Sequence, residues 1–184
     1  MNLRQEGKQL LDSTGLKAIL ECFGEVSIGG SYAYDLLVDR DIDIDVRLPK
    51  NTDLTFDVRA EFAATLLREV RAMRGIKMAD LHHFPAGAKH QIDGIWYGLN
   101  VISEQSGERW NIDIWLLLAG SRTEEDTALT ERLMNLTTNE RETIMRLKQE
   151  ALRRSMKEKG ATSVQIYRAV LERGATSLDE IMQS

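Results

Sequence analysis

Apolar and polar positions alternate at two different periods along this chain, and the period changes near residue 120. Residues 5–23 carry Leu10, Leu11, Ile19 and Leu20 at roughly helical spacing, which predicts one helix with Gly15 as its weak point. Val26-Ser27-Ile28 reads as a short strand running into Gly29-Gly30. Residues 41–48 then alternate strictly, with Ile42, Ile44, Val46 and Leu48 facing one way and Asp41, Asp43, Asp45 and Arg47 the other. A period of two puts one face of a strand in a core and leaves the other polar. Pro49 ends it. Residues 55–74 read as an amphipathic helix, with Phe62, Leu66, Val70 and Met73 on one stripe. Three further strands are expected at 76–84, 94–102 and 110–118, with Gly94 and Gly107 marking turns near their ends.

Beyond Thr123 every periodic segment is helical. Thr137-x-x-Glu140 is a capping box that opens a helix expected to reach about Lys159, with Ile144, Leu147, Ala151 and Leu152 as its apolar stripe and Gly160 as its stop. A shorter helix follows, with Val164, Tyr167, Val170 and Leu171 on one side and Gly174 at its end, and Ser177-x-x-Glu180 caps a last turn or two. The expected fold class is α+β: a mixed sheet of about five strands flanked by helices over 1–120, then a helical C-terminal region over 121–184.

Composition narrows the function. The 184 residues suffice for one core of ordinary size with a small appendage. A net charge of −5 argues against a protein that grips nucleic acid through its phosphates. The single cysteine, Cys22, cannot form an internal disulfide, which is compatible with a reducing cytoplasm, the expected location. Its apolar helical surroundings place it in the core. The opening MNLRQEGKQLL lacks the apolar region of a signal peptide, and the longest strongly apolar run, Ile114 to Ala119, is too short to span a bilayer, so no membrane partner is expected.

The chemistry sits between Val26 and Leu48. Two glycines after a strand let the backbone turn tightly and approach a ligand with no Cβ in the way. Free amides at such a turn suit phosphate oxygens, and Ser31 adds a hydroxyl. By itself a Gly-Gly-Ser turn is only a turn. Three carboxylates on one face of the following strand change the reading, because they repel one another and are costly to crowd without a cation. The plain alternative is an edge strand kept soluble by charge. Such faces usually mix Thr, Lys, Ser and Glu, whereas here the short carboxylate recurs each time. Hard oxygen ligands at this spacing suit Mg²⁺ or Mn²⁺. A calcium-binding EF-hand loop is excluded: counted from Asp39, the sixth position is Ile44 where Gly is needed, and the twelfth is Lys50 where Glu is needed.

The order Ile28-Gly29-Gly30-Ser31, then Tyr32 to Arg40, then Asp41-Ile42-Asp43-Ile44 resembles the nucleotidyltransferase fold of the DNA polymerase β superfamily. That superfamily needs a third carboxylate between apolar residues on a later strand, and Asn111-Ile112-Asp113-Ile114-Trp115 supplies one. The resemblance covers about residues 20–118 and is strongest to small, stand-alone bacterial proteins related to antibiotic and minimal nucleotidyltransferases. Two features depart from it. Asp43-x-Asp45 has the same spacing as Asp41-x-Asp43; the polar pair Asp39-Arg40 just before the motif favours Asp41 and Asp43. The strands near 76–84 and 94–102, between the pair and Asp113, extend the minimal sheet.

The resemblance implies a metal-dependent enzyme. Asp41 and Asp43 would hold Mg²⁺ or Mn²⁺ on the phosphates of a nucleoside triphosphate, with ATP the expected donor. Gly29, Gly30 and Ser31 would hold the terminal phosphates. Asp113 would share a second metal or act as general base, and the NMP would pass to a hydroxyl of a small molecule or protein, releasing pyrophosphate. The alternatives on the same fold are a non-catalytic nucleotide-binding module, or an antitoxin-type partner whose helical tail docks a second chain.

Other residues read more plainly. His82, His83 and His90 lack accompanying cysteines and any standard zinc spacing. Asp80 and His82 share a strand face that could line a cleft, while Lys77 and Lys89 read as surface lysines. Trp96, Tyr97, Trp110 and Trp115 lie on the expected sheet, with core packing the default and base stacking the alternative. The basic residues of the helix after Thr137, among them Arg141, Arg146 and Lys148, read as a solvated face.

Overall fold

In the computed structural model, which describes residues 2–53, 55–72, 76–85, 94–104, 106–119 and 124–182, the helix expected over 5–23 is broken in two at Gly15. Helix α1 (Leu3–Thr14) opens on a capping box at Asn2, whose side chain accepts the Gln5 amide at 2.9 Å. Gly15 then adopts φ +66°, the left-handed conformation that glycine enters without strain, and α2 (Leu16–Glu21) starts afresh. Thr14 Oγ1 takes up the Leu16 amide at 3.3 Å, so the break leaves that donor satisfied. Cys22 is exposed, against the expectation of a core position: it caps the end of α2 with its sulfur 3.6 Å from the Ala18 carbonyl oxygen, while Leu16 and Leu20 fill the core.

The chain forms two compact units, Met1–Ala33 with Arg40–Arg122, and Tyr34–Asp39 with Thr123–Ser184. The first holds a five-stranded mixed sheet built from β1 (Glu25–Gly29), β2 (Asp41–Arg47), β3 (Ile76–Pro85), β4 (Gly94–Ser103) and β5 (Arg109–Leu117), in the order β1-β2-β5-β4-β3. β2 and β5 run parallel, and the other pairs are antiparallel. Parallel neighbours need a long crossover, and α4 (Phe56–Ala72), β3 and β4 supply it.

Alternation along β2 and β5 decides which face is buried. Ile42, Ile44 and Val46, with Tyr97, Leu99, Ile112 and Ile114, meet Leu10, Leu11, Leu16 and Leu20 of the first two helices and Phe62 and Leu66 of α4. Each such fully buried side chain contributes about 1.5–3 kcal/mol. Phe62 stacks edge-on against Phe23 (centroids 4.7 Å apart) and tilted against Tyr97 (4.9 Å). Asp41, Asp43 and Asp45 occupy the opposite, half-buried face of β2.

The second unit comprises α5 (Glu124–Met134), α6 (Thr138–Arg153), a 3-10 turn (Lys157–Lys159), α7 (Ser163–Arg173) and α8 (Leu178–Met182). Thr137 and Thr162 both form capping boxes, with Glu140 and Gln165. α6 ends well before Lys159. Ser155 turns left-handed (φ +50°), and the Met156 amide reaches back to the Ala151 carbonyl at 2.9 Å. Gly160 therefore closes the 3-10 turn and not the long helix. Ile144, Leu147, Ala151, Ile166, Tyr167, Val170, Leu178 and Ile181 form the core of this unit around Leu36. Leu152 and Val164, expected on the apolar stripes, are about half exposed (48% and 50%). Leu152 lies one residue, or 100° of helix, past Ala151, and Val164 precedes the stripe that Ile166 begins. Lys148, expected on a solvated face, is 3% exposed inside this core. Among the described residues, no helix is long and apolar enough to cross a membrane.

Candidate functional site

Strand register assembles the residues singled out by sequence. Gly29 pairs with Asp43 across β1 and β2, Asp43 with Asp113 across β2 and β5, and Asp113 with Gly98 across β5 and β4. Neighbouring strands lie about 4.8 Å apart, so Asp43 and Asp113 project side by side from one sheet face. Asp41, two residues before Asp43, shares that face opposite Asn111. Both Asp41 and Asp113 bury one carboxylate oxygen, Oδ1, that accepts no hydrogen bond, though both residues take part in other interactions. The helices of this unit pack on the other face through the leucines and Phe62 described above.

Gly30 follows β1 with φ +59° and begins the short helix α3 (Gly30–Ala33). A Cβ built there would overlap the Asp43 carboxylate, lying 2.7 Å from its Cγ. The backbone at Gly30 thus lies against Asp43, and only glycine satisfies both the dihedral and the space. Ser31 is buried and held by its own interactions.

The third aspartate of the strand has a different environment. Asp45 Oδ2 lies 3.2 Å from Arg47 Nη2, and Arg47 Nη1 reaches Ser27 Oγ at 3.4 Å. Asp45 is thereby charge-compensated by its own strand.

Just before Asp41, Arg40 is fixed from the N-terminal helix. Its Nε and Nη2 donate to the two oxygens of Glu6 at 2.9 and 3.2 Å, and the Trp110 indole N–H donates to Glu6 Oε1 at 3.1 Å. The Arg40 guanidinium, bonded to Glu6, holds that carboxyl below its usual range despite burial, helped by Trp110; the same bond raises Arg40 further. The close approach of α1 depends on Gly7, where a Cβ would lie 2.9 Å from the Trp110 ring. Sequence reading singled out Arg40 but not Glu6, which is 34 positions away and carries no motif.

Of Trp96, Tyr97, Trp110 and Trp115, Tyr97 and Trp110 are fully buried, as core packing demands. Trp96 and Trp115 are half-buried register partners of each other, and Trp115 pairs with Asp45. The Trp96 ring lies over Gly98, where a Cβ would come within 2.8 Å of it. The backbone register pairs Asp80 with Asn100 and His82 with Gly98. The side chains of Lys77, Asp80, His82 and His83, and the segment with Lys89 and His90, lie outside the described part of the molecule. Among the described residues, no three His, Cys, Asp or Glu side chains are gathered as a ready metal cage.

No protein-family model matches the chain, and no curated protein matches it. Among solved structures, it is similar to a chain of the GLD-2/RNP-8 complex, with a TM-score of 0.52 and 14% identity over 90% of this chain and 56% of that one. The present chain therefore spans little more than half the length of that neighbour. At this identity the likeness concerns the fold alone, an α+β fold with a mixed sheet.

Proposed function

We propose that the chain transfers a nucleoside monophosphate from a nucleoside triphosphate, ATP foremost, to a hydroxyl of a small molecule or protein. The observation that carries this reading is the row Gly29–Asp43–Asp113 across three adjacent strands, with the Gly30 backbone lying against the Asp43 carboxylate. A glycine turn beside two neighbouring carboxylates supplies the parts that nucleotidyl transfer requires.

The donor set fits a divalent cation. Mg²⁺ commonly takes one or two carboxylates, waters and substrate phosphates in place of an all-protein cage. Asp41 and Asp43 are the residues to hold it. Asp45 is set aside because Arg47 already compensates its charge. Mg²⁺ or Mn²⁺ bound there would neutralise phosphate charge and acidify the acceptor hydroxyl.

The chain's own residues then have separate tasks. Gly29, Gly30 and Ser31 bind the terminal phosphates through backbone amides and a hydroxyl. Asp113, one strand beyond Asp43, faces the acceptor and takes its proton. The acceptor oxygen bonds to the α-phosphorus while the bond to the bridging oxygen breaks, and pyrophosphate leaves with that electron pair. Positioning and charge compensation supply most of the acceleration in such displacements. Calorimetry with ATP, GTP, CTP and UTP, each with Mg²⁺ or Mn²⁺ and with chelator, tests the reading. Chelator-sensitive binding that Asp41→Asn removes supports it; binding indifferent to both overturns it.

A further inference from the structure

We propose that Arg141 and Lys148 are positioning residues for the candidate site, acting through the segment that joins its two halves. This rests on the function proposed above. Residues 34–39 lie between the turn at Gly29-Gly30-Ser31 and the strand bearing Asp41 and Asp43, yet they fold as part of the helical unit.

The grip on this segment is made by charged donors on backbone carbonyls. Arg141 Nη1 donates to the Tyr34 and Asp35 carbonyl oxygens at 2.8 and 3.0 Å. Lys148 Nζ donates to the Leu36 carbonyl at 2.7 Å and to Tyr167 Oη at 3.1 Å, and lies over the Tyr167 ring 5.3 Å from its centroid. The two residues are seven apart, hence two turns along one face of α6, and they take three consecutive carbonyls. Asp35 between them holds φ +57°, a strained value for a residue with a side chain. Leu36 is fully buried among the helices, and Tyr34 Oη donates to Thr130 Oγ1 at 3.3 Å. A lysine this deeply buried is costly unless its charge is bonded. An apolar side chain would fill the space more cheaply, but it would leave the Leu36 carbonyl without this donor. The arrangement makes sense as a fastener that sets the course of the chain from Ala33 to Arg40. It thereby adds to the β1–β2 pairing a restraint on both ends of that path, at Ser31–Ala33 and at Arg40–Asp41.

The test uses the full chain and three variants: Arg141→Gln, Lys148→Met and, as a control, Ile181→Ala, a buried change on α8 of the same unit. Amide hydrogen exchange and Mg²⁺-dependent ATP binding are both read. The two clamp variants should raise exchange about tenfold or more across 34–39 and on into Ser31–Ala33, leaving β4 unchanged. They should also weaken Mg²⁺-ATP binding by about tenfold. The control should lower the melting temperature comparably while keeping Ser31–Ala33 protection and ATP affinity. Faster exchange confined to 34–39 and the helices, unchanged affinity, or equal loss of affinity in the control would each overturn the proposal. Should Lys148→Met fail to fold, the half-buried Arg141→Gln carries the test. Failure of the wild-type chain to bind any nucleotide would sink the proposed function instead, and exchange at Ser31–Ala33 would still decide the clamp.

Discussion

Gly30 and Asp43 are fitted to each other: the glycine has no side chain where the carboxylate lies, and its φ of +59° suits no other residue well. Gly30→Ala should therefore cost stability twice over. The left-handed backbone costs about 1–2 kcal/mol for alanine, and overpacking adds about 1–3 kcal/mol. Chemical denaturation should show a combined loss near 3 kcal/mol. Shortening the partner in the background of Asp43→Gly should recover the overpacking part and leave the dihedral part. A double-mutant cycle with no coupling would mean that the turn relaxes away from Asp43 at no cost.

The proximity of Asp43 to Asp113 and Asp41 predicts an unusual sign for a second substitution. Like charges about 5 Å apart in a water-like medium cost about 1 kcal/mol. Asp43→Asn should leave the melting temperature of the metal-free protein unchanged or raise it by about 2–4 °C. The same variant should lose chelator-sensitive nucleotide binding, because the cation that recovers the repulsion would lack a ligand. A clear fall in melting temperature without metal would mark Asp43 as a structural partner instead.

Glu6 and Arg40 predict a pH dependence. The folded carboxyl of Glu6 titrates below its unfolded value, chiefly through the bond from Arg40. Its contribution is therefore present in full above the unfolded carboxylate value of about 4.3 and is lost as pH falls through the lower folded value. Glu6→Gln should destabilise by about 2 kcal/mol at pH 7, the worth of a charge-assisted hydrogen bond. The difference from wild type should shrink as pH falls from the unfolded carboxylate value through the lower folded one. A difference that stays constant across that range would assign the loss to packing against Trp110.

What could be read from sequence depended on how local its cause was. β2 was legible because seven residues alternate without a fault, and its burial follows that alternation residue by residue. The split at Gly15 was half legible: the glycine was visible, but Thr14 satisfying the Leu16 amide was not. The end of α6 was misplaced because its left-handed cap is Ser155, and no glycine announces it. Lys148 was the deepest misreading. On a helix rich in Lys and Arg it looks solvated, and its burial is set by Leu36, 112 positions earlier. For the candidate site, the order of turn, aspartates and later strand was present in sequence. The direct pairing of Asp43 with Asp113 is a matter of register between strands 70 residues apart, which no local pattern encodes. Strict alternation likewise could not show that Asp45 faces Arg47, an ion pair that bears on the proposed preference for Asp41 as the partner of Asp43.

Asp113 separates an enzyme from a binding module on this fold. In the proposed mechanism Asp41 and Asp43 hold the cation that carries the nucleotide, so losing either weakens nucleotide binding. Asp113 lies one strand further on, paired with Asp43 on one side and Gly98 on the other, and its task is to activate the acceptor. Asp113→Asn keeps the shape of the side chain and its ability to hydrogen-bond while removing the charge. Nucleotide affinity should fall only modestly. Transfer to an acceptor, assayed with labelled nucleoside triphosphate, Mg²⁺ and a cell extract, should fall by about two orders of magnitude or more, near 3 kcal/mol of lost transition-state stabilisation. If Asp113 were only a half-buried strand residue two positions from Trp115, the substitution would change neither quantity. Transfer that survives Asp113→Asn in a preparation where Asp41→Asn is dead would remove Asp113 from the site. The third carboxylate would then be sought at Asp80, whose backbone lies opposite Asn100 on the neighbouring strand, or at Asp93.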